Sequence, residues 1–247
     1  MSQKNSFLTS TIGKKVLMAA TGLLLIGFLT THLAGNFLLF AGKDAFNNYA
    51  HALTSNPLIY VAEAGLLGLF ILHIYSAIQV SAASRKARPE GYASNQNLGK
   101  STLSSRTMLK TGSLVLAFLV LHLATFKFGT EYKSGEAPAT EAKQAVEKVE
   151  IAAADDTVEV KTTEKSEVRD LYRTVVENFQ KKWYSIVYII SMIVLGFHLA
   201  HGFQSAFRTL GLNHPKYTPC ITKASNALGY GFALAYSVFP IYFGFIA

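Results

Sequence analysis

This sequence has one cysteine, Cys220. That excludes an intrachain disulfide, a C-x-x-C-H haem attachment and any Cys-rich zinc or iron–sulfur site. Charge is scarce too: 15% of the 247 residues are charged, whereas half are hydrophobic. The apolar runs also lack the polar stripes at helical spacing that a soluble α-bundle would carry.

What is present is five runs long enough to cross a bilayer, which takes about 20 predominantly apolar residues each. They fall near 15–41, 57–84, 107–129, 183–208 and 224–246. The expected fold is therefore all-α integral membrane, with five transmembrane helices in one bundle. The first run exceeds the roughly 7–15 residues of a signal h-region and carries Thr31, His32 and Asn36, so it reads as a span.

The formal net charge of +8 would suggest nucleic acid in a soluble protein, but its distribution argues for a membrane. Lys4, Lys14 and Lys15 precede span one. Arg85, Lys86, Arg88, Lys100, Arg106 and Lys110 stand against Glu90 alone between spans two and three. Arg208, Lys216 and Lys223 lie between spans four and five. Alternating helices put all of these on one side, and the first connection offers only Lys43 and Asp44 on the other. The positive-inside rule then makes the N-terminus cytoplasmic and the C-terminus external.

The connection at 130–182 is long and mixed in charge. Between Tyr132 and Tyr172 it contains no aromatic residue. Such composition buries too little apolar surface to offset ordering entropy, so 133–165 is expected to be disordered or loosely helical. Leu171, Val175, Val176 and Phe179 fall on one helical face, which predicts a short interfacial helix near 168–182.

The chemistry resides in histidine. Four of the seven, His32, His73, His122 and His198, lie one to a span. An ionisable side chain in hydrocarbon is costly and marks function by default. An internal repeat sorts them. Thr21-Gly22 through Phe28-Leu29 to His32-Leu33-Ala34 matches Thr111-Gly112 through Phe118-Leu119 to His122-Leu123-Ala124 without a gap. Spans two and four match more weakly, aligning His73 with His198, Gln79 with Gln204 and Ser76 with His201.

Depth pairs the histidines. At 1.5 Å per residue, His73 lies roughly 18 Å from Arg85 and His198 roughly 15 Å from Arg208, both cytoplasmic markers. His122 lies about 8 Å from Lys127 and His32 about 16 Å from Lys43, both outer markers. His73 therefore pairs with His198 in the inner half, and His32 with His122 in the outer half. Two imidazoles from separate helices, without carboxylate or thiolate, suit bis-histidine ligation of a haem, a six-coordinate arrangement for electron transfer. Gly22, Gly35, Gly112 and Gly202 flank these positions and would admit a porphyrin or close helix packing. The competing reading is interhelical hydrogen bonding in a haem-free transporter or scaffold. His201, one turn beyond His198, is an alternative ligand or a propionate partner. His214 belongs to a polar loop.

Taken in order, Phe28-Leu-Thr-Thr-His-Leu-Ala-Gly-Asn36, Ala45-Phe-Asn-Asn-Tyr-Ala-His51 with Pro57 and Glu63, Ile71-Leu-His-Ile-Tyr75, Leu119-Val-Leu-His122 and Phe197-His-Leu-Ala-His-Gly202 form a set. With that set the chain resembles the di-haem cytochrome b membrane anchor of succinate:quinone oxidoreductases (succinate dehydrogenase and fumarate reductase), of the single-subunit, five-helix type. The resemblance implies two haem b groups, the outer held by His32 and His122 and the inner by His73 and His198. It implies flavoprotein and iron–sulfur partner subunits on the cytoplasmic face of a bacterial inner membrane, with succinate oxidised on the flavin subunit. It also implies a quinone acceptor, menaquinone in this reading. Asn47, Tyr49, His51 and Glu63 are the candidates for quinone contact near the outer haem. Two departures stand out: the 133–165 insert, and Gly196 where some relatives carry a glutamate. A di-haem cytochrome b of a hydrogenase or formate dehydrogenase would fit the spans, though not the 45–51 segment.

Overall fold

The fold was read from a computed structural model, which describes residues 10–87, 103–132 and 169–247. Arg88, Glu90 and Lys100 of the second connection, and the 133–165 insert, lie outside the described residues. Helix accounts for 87% of the structure, with no strand among the described residues.

The chain forms α1 (Thr11–Asn36), continued by a 3-10 turn (Phe37–Ala41), then α2 (Lys43–Thr54), α3 (Leu58–Lys86) and α4 (Leu103–Phe126). After the insert come α5 (Leu171–Gln180), α6 (Lys182–Thr209) and α7 (Thr218–Ile241), which ends in a π-helical turn (Tyr242–Ile246). Five segments are long and apolar enough to cross a membrane: Thr11–Ala41, Leu58–Lys86, Arg106–Phe126, Lys182–Thr209 and Thr218–Ile246.

Local chemistry sets several boundaries. Ser10 caps α1, its Oγ accepting the Gly13 N–H at 3.0 Å. α7 begins at Thr218, six residues before the hydrophobic run at 224, because Pro219 sits in its first turn, where no N–H is needed. Pro240 cannot donate to its own helix, and regular α-geometry ends just beyond it. The chain reverses from the 3-10 turn into α2 at Gly42, whose φ of 101° a side chain would disfavour.

The bundle is organised around α6. It packs on α4, on α1 and most extensively on α7, while α3 packs on α1. α6 and α7 meet through reciprocal small residues, Gly196-x-x-x-Ala200 against Gly229-x-x-x-Ala233. A Cβ on Gly229 would stand 2.5 Å from Gly196 O and 2.7 Å from the Ala200 Cβ; one on Gly196 would stand 2.9 Å from Gly229 O. Close backbone approach of this kind is how membrane helices associate without a hydrophobic drive. Ser225 reinforces it by donating to Ala200 O and accepting the Gln204 N–H. Gly196 is therefore a contact surface with no room for a carboxylate.

α2 and α5 close one end of the bundle together. Asn47 donates to Asp170 Oδ1 at 2.8 Å and accepts the Tyr172 N–H at 2.9 Å. Lys43 pairs with Asp170 Oδ2 at 2.7 Å. The apolar face of α5 turns to protein: Val175 and Phe179 are buried with Leu39, Phe46, Tyr184, Tyr188, Phe239 and Phe243. The connections after α1 and α4 thus share one end of the bundle, and Lys127 bonds Glu63 there.

Candidate functional site: two facing histidine pairs

His73 on α3 meets His198 on α6, with ring centres 6.5 Å apart and ring planes at 74°. His32 on α1 meets His122 on α4, at 5.8 Å and 85°. Neither α3 with α6 nor α1 with α4 is among the closely packed helix pairs. The imidazoles bridge helices that other contacts position.

The inner pair has a seat built by the repeat. His73 Nδ1 lies 3.2 Å from Thr21 Oγ1, and His198 Nδ1 lies 3.3 Å from Thr111 Oγ1. Each threonine hydroxyl directs its only proton back along its own helix, Thr21 to Leu17 O at 2.8 Å and Thr111 to Met108 O at 3.0 Å. With the proton so placed the oxygen can accept from Nδ1, the tautomer that leaves Nε2 free. Gly22 and Gly112 let the rings lie against the backbone, since a Cβ at either would stand 3.2 Å from the imidazole Cε1. The two glycines thus seat the imidazole rings themselves. Gly35 receives Tyr49, whose hydroxyl would stand 2.5 Å from a Cβ there, and Gly202 has only ordinary contact with Met108.

The outer pair is held by aromatic packing. Phe28 stacks on His32 with ring centres 5.4 Å apart, and Tyr236 lies 6.3 Å away. Phe118 and Phe126 flank His122 at 5.8 and 5.3 Å. His122 Nδ1 is 3.0 Å from the Tyr188 hydroxyl, which is 3.2 Å from that of Tyr184. From Thr21 to His32, and from Thr111 to His122, is eleven residues, which sets the two levels about 16 Å apart.

These pairs pass a simple test of fit. With a metal–nitrogen bond of about 2 Å, two axial imidazoles place their ring centres about 6.3 Å apart. Both observed separations lie near that value. Ligating histidines also characteristically donate their second nitrogen to an acceptor, and Thr21 and Thr111 stand where such acceptors would for His73 and His198. No cluster of three or more His, Cys, Asp or Glu side chains that could hold a metal occurs among the described residues.

The other candidates scatter. His201 is half-buried, one turn closer to the Arg208 end of α6, and the ring facing His73 is that of His198. Asn47 is buried and joins α2 to α5. Tyr49 packs on Gly35, one turn from His32. His51 and Glu63 are exposed at the same end of the bundle. Thr21, Thr111 and Tyr188 complete the site, and sequence reasoning had not named them as functional. The exact coincidence of Thr-Gly in the repeat was a signal for the first two; Tyr188 had none. Comparison of the chain with protein families, curated proteins and solved structures finds no match.

Proposed function

We propose that this chain is a di-haem membrane cytochrome b, the anchor and electron conduit of a succinate:quinone oxidoreductase. One observation carries the haem reading: histidines on helices that do not pack closely face each other in two pairs, with ring centres 6.5 and 5.8 Å apart, near the separation of two axial imidazoles. As axial ligands such pairs are what the chemistry requires.

His73 and His198 would hold an inner haem, and His32 and His122 an outer one. When bound, haem supplies one-electron transfer; the protein supplies ligands, tautomers and a dry setting. Thr21 and Thr111 keep Nε2 deprotonated and oriented. The aromatic shell of Phe28, Phe118, Phe126 and Tyr236 excludes water from the outer pair. The two levels, about 16 Å apart along the helices, span much of the hydrocarbon thickness of about 30 Å.

The choice of complex rests on the motif set quoted above. On that reading the basic connections face the cytoplasm of a bacterium and dock the iron–sulfur and flavoprotein subunits. Quinone, menaquinone in this proposal, would react at the end closed by α2 and α5, where Tyr49, His51 and Glu63 lie. Glu63 and His51 can exchange protons with water there.

The deciding experiment is a reduced-minus-oxidised spectrum and haem stoichiometry of the purified chain, followed by a succinate–quinone assay of the co-purified complex. Two low-spin b haems per chain and succinate-dependent quinone reduction are expected. A chain without haem refutes the cytochrome. Two haems with hydrogen- or formate-dependent, succinate-independent reduction would keep the cytochrome and replace the complex.

A further inference from the structure

The two pairs differ in what receives the outward Nδ1 proton. In the inner pair it is a threonine oxygen whose own proton is fixed on a helix carbonyl. In the outer pair His122 faces a phenol that touches a second phenol. Tyr188 and Tyr184 are 5% and 2% exposed, so neither can turn to water. Tyr184 donates its hydroxyl proton to Tyr188 at 3.2 Å. A histidine that ligates through Nε2 carries its proton on Nδ1, so Tyr188 then accepts from His122 on one side and from Tyr184 on the other.

We propose that Tyr188, backed by Tyr184, is the positioning residue that sets the electron affinity of the outer haem separately from the inner one. This rests on the two-haem reading. Tyr188 accepts the Nδ1 proton of His122, which raises the basicity of that ligand and favours the oxidised metal. Tyr184 donates to the same oxygen, and this second donor lessens what Tyr188 can accept from His122. The ring of Tyr188 is fixed independently of its hydroxyl, by Phe118 at 4.8 Å and Phe179 at 5.1 Å. Removing the oxygen thus changes the electronics and leaves the packing in place.

The test is redox titration of the full-length haem-loaded protein by visible spectroscopy, with wild type, Tyr188→Phe, Tyr184→Phe and Thr111→Val. The outer haem is identified as the one missing from His32→Ala. Tyr188→Phe should raise the outer midpoint so that reduction is favoured about tenfold, equal to about 59 mV for one electron. The inner midpoint should stay in place. Tyr184→Phe should move the outer midpoint by less and with the opposite sign, and it decides the matter if Tyr188→Phe loses the outer haem altogether. Thr111→Val should act on the inner haem only. An outer midpoint unmoved in the phenylalanine variants, or an equal shift of both haems, overturns this proposal and leaves the two-haem reading intact. A wild-type chain that binds no haem overturns both.

Discussion

Thr111 Oγ1 on α4 lies 3.3 Å from His198 Nδ1 on α6, repeating the placement of Thr21 on α1 against His73 on α3 at 3.2 Å. One dipeptide, Thr-Gly, thus appears twice and performs the same two tasks. The threonine offers an acceptor to Nδ1, and the glycine lets the ring approach.

If so, Thr21→Val and Thr111→Val should each weaken the inner haem site about 10–100-fold, the usual scale for losing a ligand's outer hydrogen-bond partner. Valine keeps the shape and removes the acceptor, whereas serine keeps the acceptor. Haem titration followed at the absorbance maximum should show the loss in the valine variants and near-wild-type binding in Thr21→Ser and Thr111→Ser. Equal binding in all four variants would refute the tautomer argument.

His32→Ala or His122→Ala should remove one haem, and His73→Ala or His198→Ala the other, while His201→Ala keeps both. The near-perpendicular rings, 74° and 85°, add a spectroscopic expectation. Crossed imidazole planes leave the iron d-orbitals nearly degenerate, so electron paramagnetic resonance should give strongly anisotropic low-spin signals. A rhombic signal typical of parallel rings would contradict the geometry at that site.

Gly196 and Gly229 predict a stability effect independent of haem. Placing leucine at Gly229 inserts atoms where Gly196 O and Ala200 already stand. Overpacking of this kind costs about 1–3 kcal/mol or more. Thermal unfolding in detergent should shift down for Gly229→Leu and Gly196→Glu, and remain within error for Gly231→Leu, where the space is open.

Asp170 makes the α2–α5 contact sensitive to acid. Burial pushes its carboxyl up, but hydrogen bonds from Lys43, Asn47 and the Arg173 N–H outweigh this and hold it below its ordinary value. Glu177, paired with Arg173 at 2.6 Å, is lowered too, against its own desolvation. A depressed carboxylate stabilises the fold above its unfolded pKa, and that contribution is lost as pH falls through the folded value. Hydrogen exchange at Tyr172 and Arg173 should therefore quicken below about pH 4. Asp170→Asn should weaken protection at neutral pH and flatten its acid dependence.

Much of this protein is legible in one dimension, because a lipid solvent constrains sequence so strongly. Every backbone polar group must be satisfied within its own segment, so five apolar runs meant five helices, with ends shifted by a few residues and most of all at Pro219, where the last span begins at Thr218. The Thr-Gly and His-Leu-Ala coincidences likewise carried the repeat. Tertiary structure decided which atom faces which. Helical spacing could place Gly22 and Gly112 near a ligand, but only packing showed that they seat His73 and His198. Nor could spacing tell that Asn47 joins α5 or that α7 excludes any side chain at Gly196. Tyr188 reaches His122 because α4 and α6 are neighbours, a contact across 66 residues of chain that no local pattern encodes. Short-range periodicity records which face of a helix is polar; the partner of that face is set by helix packing, and in this bundle small residues and buried hydroxyls determine it.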